Sequence, residues 1–299
     1  MKNRRICVLL GLLLISAPLS ADTDGHPVTL WRVAGQANTV YLLGSIHLLR
    51  PEDHPLPSVI DEVYRDAEIL VMELDMDDLD SASAQQLFSR NGVLRDETTL
   101  RDLMGEEAWE QASRAAAAID IPIEMLAKSE PWLAAVTVEM MALYRIGFNP
   151  LFGIETYMTR KAAEDNKPIE GLECVEEQLG FLDGLSLQAQ RDMLLQTLED
   201  SVEISESIDE MIRAWRYGDI AALEDGLLES IAEHEELHEA LVTQRNRRWV
   251  TQIRELLDDN DDYLIIVGAL HLVGREGVPE LLAAEGLDVS QLNEAPSVR

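Results

Sequence analysis

Residues 40–49 read VYLLGSIHLL and residues 264–273 read LIIVGALHLV, so one pattern occurs near each end of the chain. Each stretch is an apolar run with the length of a buried strand, followed by Gly-x-x-His and two more apolar residues. Ligands of α/β sheets gather at the carboxyl ends of strands, which is where His47 and His271 would lie. Gly44 and Gly268 would let the backbone turn sharply or approach another group closely. The repeated pattern therefore predicts two buried strands, each with a histidine placed for chemistry at its end.

Two carboxylates take the same position after two further predicted strands. Glu73 follows the apolar run Ile69–Met72, and Glu173 follows a strand predicted over Lys167–Leu172. Four strand ends then supply two imidazoles and two carboxylates, which we expect on one face of the sheet. A single such histidine is more often a hydrogen-bonded residue of a strand–loop junction. The matched pair together with Glu73 favours a functional site.

The remaining segments predict an α/β (α+β) fold whose central mixed sheet is built from the N- and C-terminal segments. A hairpin is predicted from Val28–Val33 and Thr39–Leu43, and a last strand over Leu287–Leu292. Residues of about 100–259 form a large helical insertion, interrupted by the strand at 167–172. Helices are predicted over Pro55–Arg65, Trp132–Tyr144, Thr156–Ala163, Leu187–Leu198, Ile204–Trp215, Leu223–Leu257 and Arg275–Glu285. We therefore expect a single domain over residues 22–299.

The charge balance excludes two classes of partner. The chain has 56 acidic and 24 basic residues, for a formal net charge of −32. Nucleic-acid binding needs clustered Lys and Arg, and so does a polybasic membrane-surface role. We therefore expect no nucleic-acid partner.

The first 21 residues have the pattern of a signal peptide. Lys2, Arg4 and Arg5 precede the apolar run Ile6–Ser16, and small residues up to Ala21 offer a cleavage site. The run is short of the roughly 20 apolar residues that a membrane span needs. We therefore expect an exported protein, periplasmic or secreted, with no stable membrane anchor. Cys174 would then be alone, and we expect it to be buried and inert.

Two imidazoles and a carboxylate are a natural set of ligands for a divalent metal ion. Zn, Mn, Fe or Co would suit His47, His271 and Glu73. Such an ion lowers the pKa of a bound water and polarises a substrate carbonyl. A second carboxylate nearby, Glu173, could take the proton. The residues alone also allow a metal-free reading, with His and Glu as acid and base.

Two other motifs stand in the C-terminal half. His234-Glu235-Glu236-Leu237-His238 matches the H-E-x-x-H zinc-protease helix, but its many charges argue against the buried helix that such a site needs. The basic cluster RNRRW at 245–249 would place Arg245, Arg248 and Trp249 on one side of a helix. Such an arginine either pairs with the acidic surface or reaches the site to order a carboxylate or bind a carbonyl.

These motifs together resemble the TraB/PrgY/GumN family, which includes the Tiki proteins of animals. The resemblance runs through nearly the whole chain after residue 21, and its marks are GSIH, ELD, GIETY, GLECVEEQL, RNRRW and GALH. It implies a fold similar to that of erythromycin-esterase-like and ChaN-like proteins. Tiki proteins are regarded as metal-dependent proteases that act on secreted signalling proteins. The peptide or protein substrate that we expect is implied by this family resemblance of the motifs.

The resemblance also implies roles for individual residues. His47 and His271 would be metal ligands, and Glu73 a ligand or base. Arg245 and Asn246 match the family's RN pair, and Glu173 matches its GLE position. With these roles we expect Glu73, Glu173 and Arg245 to be catalytic. We expect Asn246 and the Tyr157 of GIETY to bind substrate.

Two functions follow as hypotheses. The first is a secreted metal-dependent hydrolase, a peptidase that uses a His/His/Glu centre to activate water. The alternative is a non-catalytic periplasmic protein that captures a peptide, haem or metal in the same cleft.

Overall fold

The computed structural model describes residues 25–75, 81–232 and 234–294, so the predicted signal peptide lies outside the described residues. Within these ranges six strands form one mixed sheet. The strands are β1 (Pro27–Ala34), β2 (Thr39–Ser45), β3 (Ile69–Leu74), β4 (Ile169–Glu173), β5 (Tyr263–Gly268) and β6 (Asp288–Asn293). Their order across the sheet is β4-β3-β5-β2-β1-β6. Strands β4, β3, β5 and β2 are parallel, whereas β1 is antiparallel to both β2 and β6.

The helices lie mainly in the middle of the chain, as the sequence predicts. They are α1 (Ser58–Asp66), α2 (Ser81–Gly92), α3 (Leu100–Met104), α4 (Glu106–Ala118), α5 (Pro131–Arg145), α6 (Ile154–Asp165), α7 (Val175–Asp183), α8 (Leu187–Arg216), α9 (Ile220–Ala232), α10 (Glu235–His238), α11 (Gln244–Leu257) and α12 (Val278–Ala284). A π-helical turn, Glu239–Thr243, joins α10 to α11, and a short 3-10 turn, Ala269–Leu272, follows β5. The predicted mixed α/β class, with the sheet drawn from both ends of the chain, is confirmed.

Helices cover both faces of the sheet. On one face α11 and α12 pack Trp249, Ile253 and Leu282 against β2 and β5. On the other face α1, α6 and the end of α8 bury a core that includes Tyr64 and Trp215. Both faces of the parallel strands are thus buried, which explains why β5 reads as an unbroken apolar run. No helix of the described residues is both long enough and apolar enough to cross a membrane.

Helix α8 corrects one prediction. The sequence predicts separate helices over 187–198 and 204–215, but the structure has one helix of 30 residues, about 45 Å long. Ser201 lies in the expected break and its hydroxyl donates to the Thr197 carbonyl, so the polar residue is satisfied within the helix. The helix joins the sheet to a separate core between α3, α4 and α5, to which it contributes Leu194 and Leu198.

Candidate functional site

The carboxyl ends of the four parallel strands bring together the side chains of one site. Glu73 is the second-to-last residue of β3, and Glu173 is the final residue of β4. His47 lies just beyond β2, and His271 is in the 3-10 turn that follows β5. Because β5 lies between β2 and β3, the two histidines approach Glu73 from neighbouring strands.

Three of these side chains converge on Gly268, the last residue of β5. A methyl group on its Cα would lie 3.3 Å from Glu73 Oε1, 3.4 Å from His47 Nε2 and 3.7 Å from His271 Cδ2. The backbone torsions of Gly268, φ −49° and ψ 136°, are open to any residue. A side chain at this position would be crowded and would fill the point that the three groups face.

His47 is held by the N-terminal end of α6, which Gly153 caps. Its Nδ1 is 2.7 Å from Glu155 Oε1, and the Ser45 hydroxyl donates to the same oxygen at 2.5 Å. A Cβ on Gly153 would collide with the carbonyl oxygen of His47 at 2.0 Å, so only glycine allows this approach. The charge of Glu155 raises the pKa of His47 to about 10. The Glu155 carboxylate thus orients Nε2 of His47 towards Gly268.

His271 is held from α11 by Asn246. The Asn246 amide nitrogen donates to the backbone carbonyls of His271 and Glu276, which leaves its Oδ1 as the acceptor, 2.7 Å from His271 Nδ1. The imidazole is buried and lies against the Trp249 ring in a tilted arrangement, with ring centroids 4.5 Å apart. Burial lowers the pKa of His271 to about 3, so the ring is neutral at neutral pH. Its proton is on Nδ1 and its lone pair is on Nε2.

Glu73 accepts hydrogen bonds at both oxygens. Its Oε1 accepts from the Gly268 backbone N–H at 2.7 Å. Its Oε2 accepts from Arg245 Nη2 at 2.6 Å and from the Gln178 amide at 3.0 Å. Burial raises the pKa of this carboxyl, but the neighbouring His271, Arg245 and His47 outweigh it and lower the pKa to about 2. Glu73 is therefore ionised at neutral pH.

Glu173 is the most enclosed carboxylate of the site, with a side-chain exposure of 0 %. Arg245 donates to it through Nε and Nη2, Arg248 through Nη2 at 2.5 Å, and Trp249 through its indole N–H at 3.1 Å. The predicted shared side of α11 is thus confirmed, since all three residues contact one carboxylate. Complete burial keeps Glu173 from substrate, and its visible action is to fix Arg245 and Arg248.

A cavity of about 330 Å³ opens beside this centre. Met72, Leu74 and Pro150 supply apolar walls, and the catalytic candidates His47 and Glu73 lie in its lining. Glu155, Thr156 and Gln178 complete the wall. A centre of charged groups at the side of a largely apolar cavity can bind a chain with an apolar side group and act on a polar bond.

Two predicted substrate contacts have other partners. The Asn246 side chain is fully buried and holds His271, so it reaches the cavity only through that ring. The Tyr157 hydroxyl donates to Asp61 on α1, and its ring packs on the core beneath the sheet.

The prediction that Cys174 is buried is wrong. The residue is exposed, because it is the N-terminal cap of α7, directly after β4.

The H-E-x-x-H stretch does not form a shared histidine face. His234 precedes α10 and lines a pocket with Ser186, whereas His238 lines a different pocket with Glu224 and Glu276. The His238 ring contacts the Thr243 hydroxyl at 3.3 Å. The helix α10 has only four residues, too few to carry both ring positions as the zinc motif requires.

Glu155 and Gln178 are the site residues whose roles the sequence did not reveal. Glu155 follows Gly153 in GIETY, where an acid in the first turn of a helix needs no partner to be favourable. Gln178 lies on α7 and joins the two carboxylates, at 3.0 Å from Glu73 and 3.3 Å from Glu173. Gln178 can reach both carboxylates because the parallel pairing of β3 with β4 places Glu73 and Glu173 side by side.

The donor atoms of His47, His271 and Glu73 are of the kind that a divalent ion takes. Both imidazoles use Nδ1 for an oxygen partner, so each could present Nε2 to a metal once His47 releases the proton that its raised pKa keeps there, and Glu73 adds a carboxylate. As they stand, no three His, Cys, Asp or Glu side chains among the described residues form a group that could hold a metal ion. Arg245 contacts two of these side chains. Its Nη2 lies 2.6 Å from Glu73 Oε2, and its Nη1 lies 3.0 Å from His271 Nε2.

Comparisons with known proteins agree with the motifs. Residues 29–291 match the sequence profile of the TraB/PrgY/gumN family. The chain is 24 % identical over 245 residues to the uncharacterized protein YbaP of Escherichia coli (strain K12), covering 81 % of this chain and 87 % of that protein. It is 22 % identical over 300 residues to an uncharacterized protein of Treponema pallidum (strain Nichols), covering 93 % and 89 %. No solved structure matches the chain. Because the family profile covers most of its length, this chain belongs to the TraB/PrgY/gumN family.

Proposed function

We propose that this protein is a metal-dependent hydrolase that acts on peptides. One observation supports this most directly: Nε2 of His47 and Oε1 of Glu73 both face Gly268, with the His271 ring beside them. Each imidazole is fixed at Nδ1 by an oxygen of a neighbouring helix, the arrangement that orients histidine for a metal. The resemblance to the Tiki proteins favours the same reaction class.

His47 and His271 would hold the ion through Nε2. Glu73 would complete the set of ligands or accept the proton of the attacking water. Its Oε1 is suited to either role, because Oε2 is engaged by Arg245 and Gln178. When bound, a divalent Zn, Mn, Co or Fe ion supplies a water of lowered pKa and a Lewis acid for the carbonyl.

The surrounding residues keep this geometry in place. Glu155 orients His47, and Asn246 orients His271. Glu173 is a positioning residue that acts through Arg245. Met72, Leu74 and Pro150 offer an apolar surface for one side chain of a bound peptide and keep water from that part of the cavity.

We also propose that the protein works outside the cytoplasm, in the periplasm or after secretion. The basic start and the apolar run Ile6–Ser16 support export. The large excess of acidic residues supports a self-repelling surface that stays soluble at high concentration.

The test uses the mature protein, starting after Ala21, and its His47→Ala, His271→Ala and His234→Ala variants. Bound metal is measured by mass spectrometry after loading with Zn²⁺ or Mn²⁺, and hydrolysis with a library of quenched fluorescent peptides. We expect the wild type and His234→Ala to retain metal and cleave peptides, and both other variants to lose the two properties. His234 is the matched control, because it is a histidine outside the site.

Three outcomes would contradict the proposal. Full metal content and full activity in both site variants would show that His47 and His271 do not hold the metal. Turnover that a chelator leaves unchanged would support metal-free acid–base catalysis by the same residues. Capture of a peptide, haem or metal at one equivalent, without turnover, would support the non-catalytic binding protein.

Glu155→Gln should weaken metal binding about 10- to 100-fold, the usual effect of losing the partner of a metal-bound histidine. The amide keeps the size of the carboxylate but removes the charge that fixes His47 Nδ1. Titration calorimetry with Zn²⁺ measures the change. Glu176→Gln on α7 is a control with the same chemical change outside the network. Equal affinities for the two variants would show that Glu155 has no influence on the ion.

A further inference from the structure

The Arg245 guanidinium occupies the centre of the site and uses every donor it has. Its Nε and one Nη2 proton go to Glu173, and the other Nη2 proton goes to Glu73 Oε2. Its Nη1 reaches the Leu241 carbonyl at 3.4 Å and His271 Nε2 at 3.0 Å. All five N–H groups therefore have acceptors among the described residues. In this state Arg245 offers no donor to a substrate carbonyl, so it acts as an internal cation.

The contact with His271 is the decisive one. Asn246 Oδ1 accepts the proton of His271 Nδ1, so the single lone pair of the neutral ring is on Nε2. Arginine can only donate hydrogen bonds, so the Nη1–H of Arg245 donates to the lone pair on His271 Nε2. A metal ion needs the same lone pair for its bond to the histidine. One lone pair cannot serve a guanidinium proton and a metal at the same time.

Arg245 can leave His271 without losing its own anchor. Glu173 holds the guanidinium through Nε and Nη2, on the side away from Nη1. The carboxylate is itself held by Arg248 and Trp249, which would stay in place. A small rotation at the anchored guanidinium would therefore free Nε2 of His271 and Oε2 of Glu73 while the buried Arg245–Glu173 ion pair persists.

We propose that Arg245 and the divalent ion compete for the lone pair of His271 Nε2. In the metal-free protein the guanidinium balances the charge of Glu73 and keeps the ligands in place. It must withdraw towards Glu173 when the ion binds. The inference rests on the proposed metal centre and adds that Arg245 lowers the affinity of that centre for its metal.

The test compares metal binding by the mature wild type, Arg245→Met and Arg254→Met. Binding of Zn²⁺ is followed by titration calorimetry, and binding of Co²⁺ by its visible absorption, so no activity is needed. We expect Arg245→Met to bind about ten- to hundredfold more tightly than the wild type, because a charge-assisted hydrogen bond no longer competes. Arg254→Met is the matched control: it also removes an arginine from α11, but its ion pair is with Glu285, away from the site. Its affinity should stay within about threefold of the wild type, as for an exposed pair.

The results separate this inference from the proposed function. If the wild type binds one equivalent and Arg245→Met binds no more tightly, or more weakly, competition is wrong and the metal centre stands. If none of the folded proteins binds metal at one equivalent, the metal centre itself fails and the inference fails with it. Should Arg245→Met not fold, the double variant Glu173→Gln with Arg245→Met removes both buried charges together and takes its place. Tighter binding by that variant supports competition, and unchanged or weaker binding overturns it.

Discussion

Replacing Gly268 with alanine should lower metal affinity and peptide hydrolysis by up to about a hundredfold, the cost of misplacing a catalytic group. The new methyl group would lie 3.3 Å from Glu73 Oε1 and 3.4 Å from His47 Nε2, in the space that the ligands face. The backbone torsions at this position suit alanine, so the fold should tolerate the change. Zinc titration and the peptide assay measure the loss, and circular dichroism checks the fold.

Gly180→Ala is the control for the Gly268 variant. A methyl group there meets no atom within 4 Å, and alanine is favoured over glycine within a helix such as α7. We expect this variant to bind metal and cleave peptides as the wild type does. Wild-type affinity and activity in Gly268→Ala would mean that the reacting centre lies elsewhere than the point between Glu73, His47 and His271.

Replacing Glu173 with alanine should lower the free energy of unfolding by about 3–5 kcal/mol, the cost of breaking a buried ion pair from one side. The change leaves Arg245, whose side chain is only 9 % exposed, without one of its carboxylate partners. It also removes the acceptor of the buried Trp249 indole N–H. Urea denaturation followed by circular dichroism measures the difference.

Glu170→Ala is the matched control, because Glu170 is an exposed residue of the same strand, β4. It should change the stability little, as surface substitutions usually do. Glu173→Gln should lie between the two variants, since the amide oxygen still accepts hydrogen bonds but lacks the charge. A loss in Glu173→Ala no larger than that in Glu170→Ala would show that the buried network does not stabilise the fold.

The sheet and the main residues of the site could be predicted because their signals are local. The parallel strands β2, β3 and β5 contain short apolar runs, and a polar residue at or just beyond the carboxyl end of each can be placed from strand direction alone. The repeat of Gly-x-x-His at His47 and His271 marks two of these ends without knowledge of the fold. The RNRRW spacing likewise gives the shared side of α11 from helix geometry.

The partners that orient these residues could not be predicted, because they depend on how distant segments pack. Glu155 meets His47 only when α6 begins against the loop after β2. Asn246 and Tyr157 are polar residues of family motifs, and the motif does not say whether the side chain faces a cleft or a neighbouring ring. The continuity of α8 depends on a hydroxyl satisfied within the helix, which its periodicity does not reveal.

Strand β5 has a consequence for how the molecule is made. Its first residue, Tyr263, pairs with Val40 of β2 on one side and with Ile69 of β3 on the other. Before β5 has been synthesised, no strand lies between β2 and β3, so the side chains at the carboxyl ends of these two strands cannot meet. Closure joins segments far apart in sequence, which slows folding and makes it cooperative. For the peptide hydrolase proposed above, this order of assembly would be protective, since the candidate site would be incomplete on the ribosome until residues 263–271 had emerged.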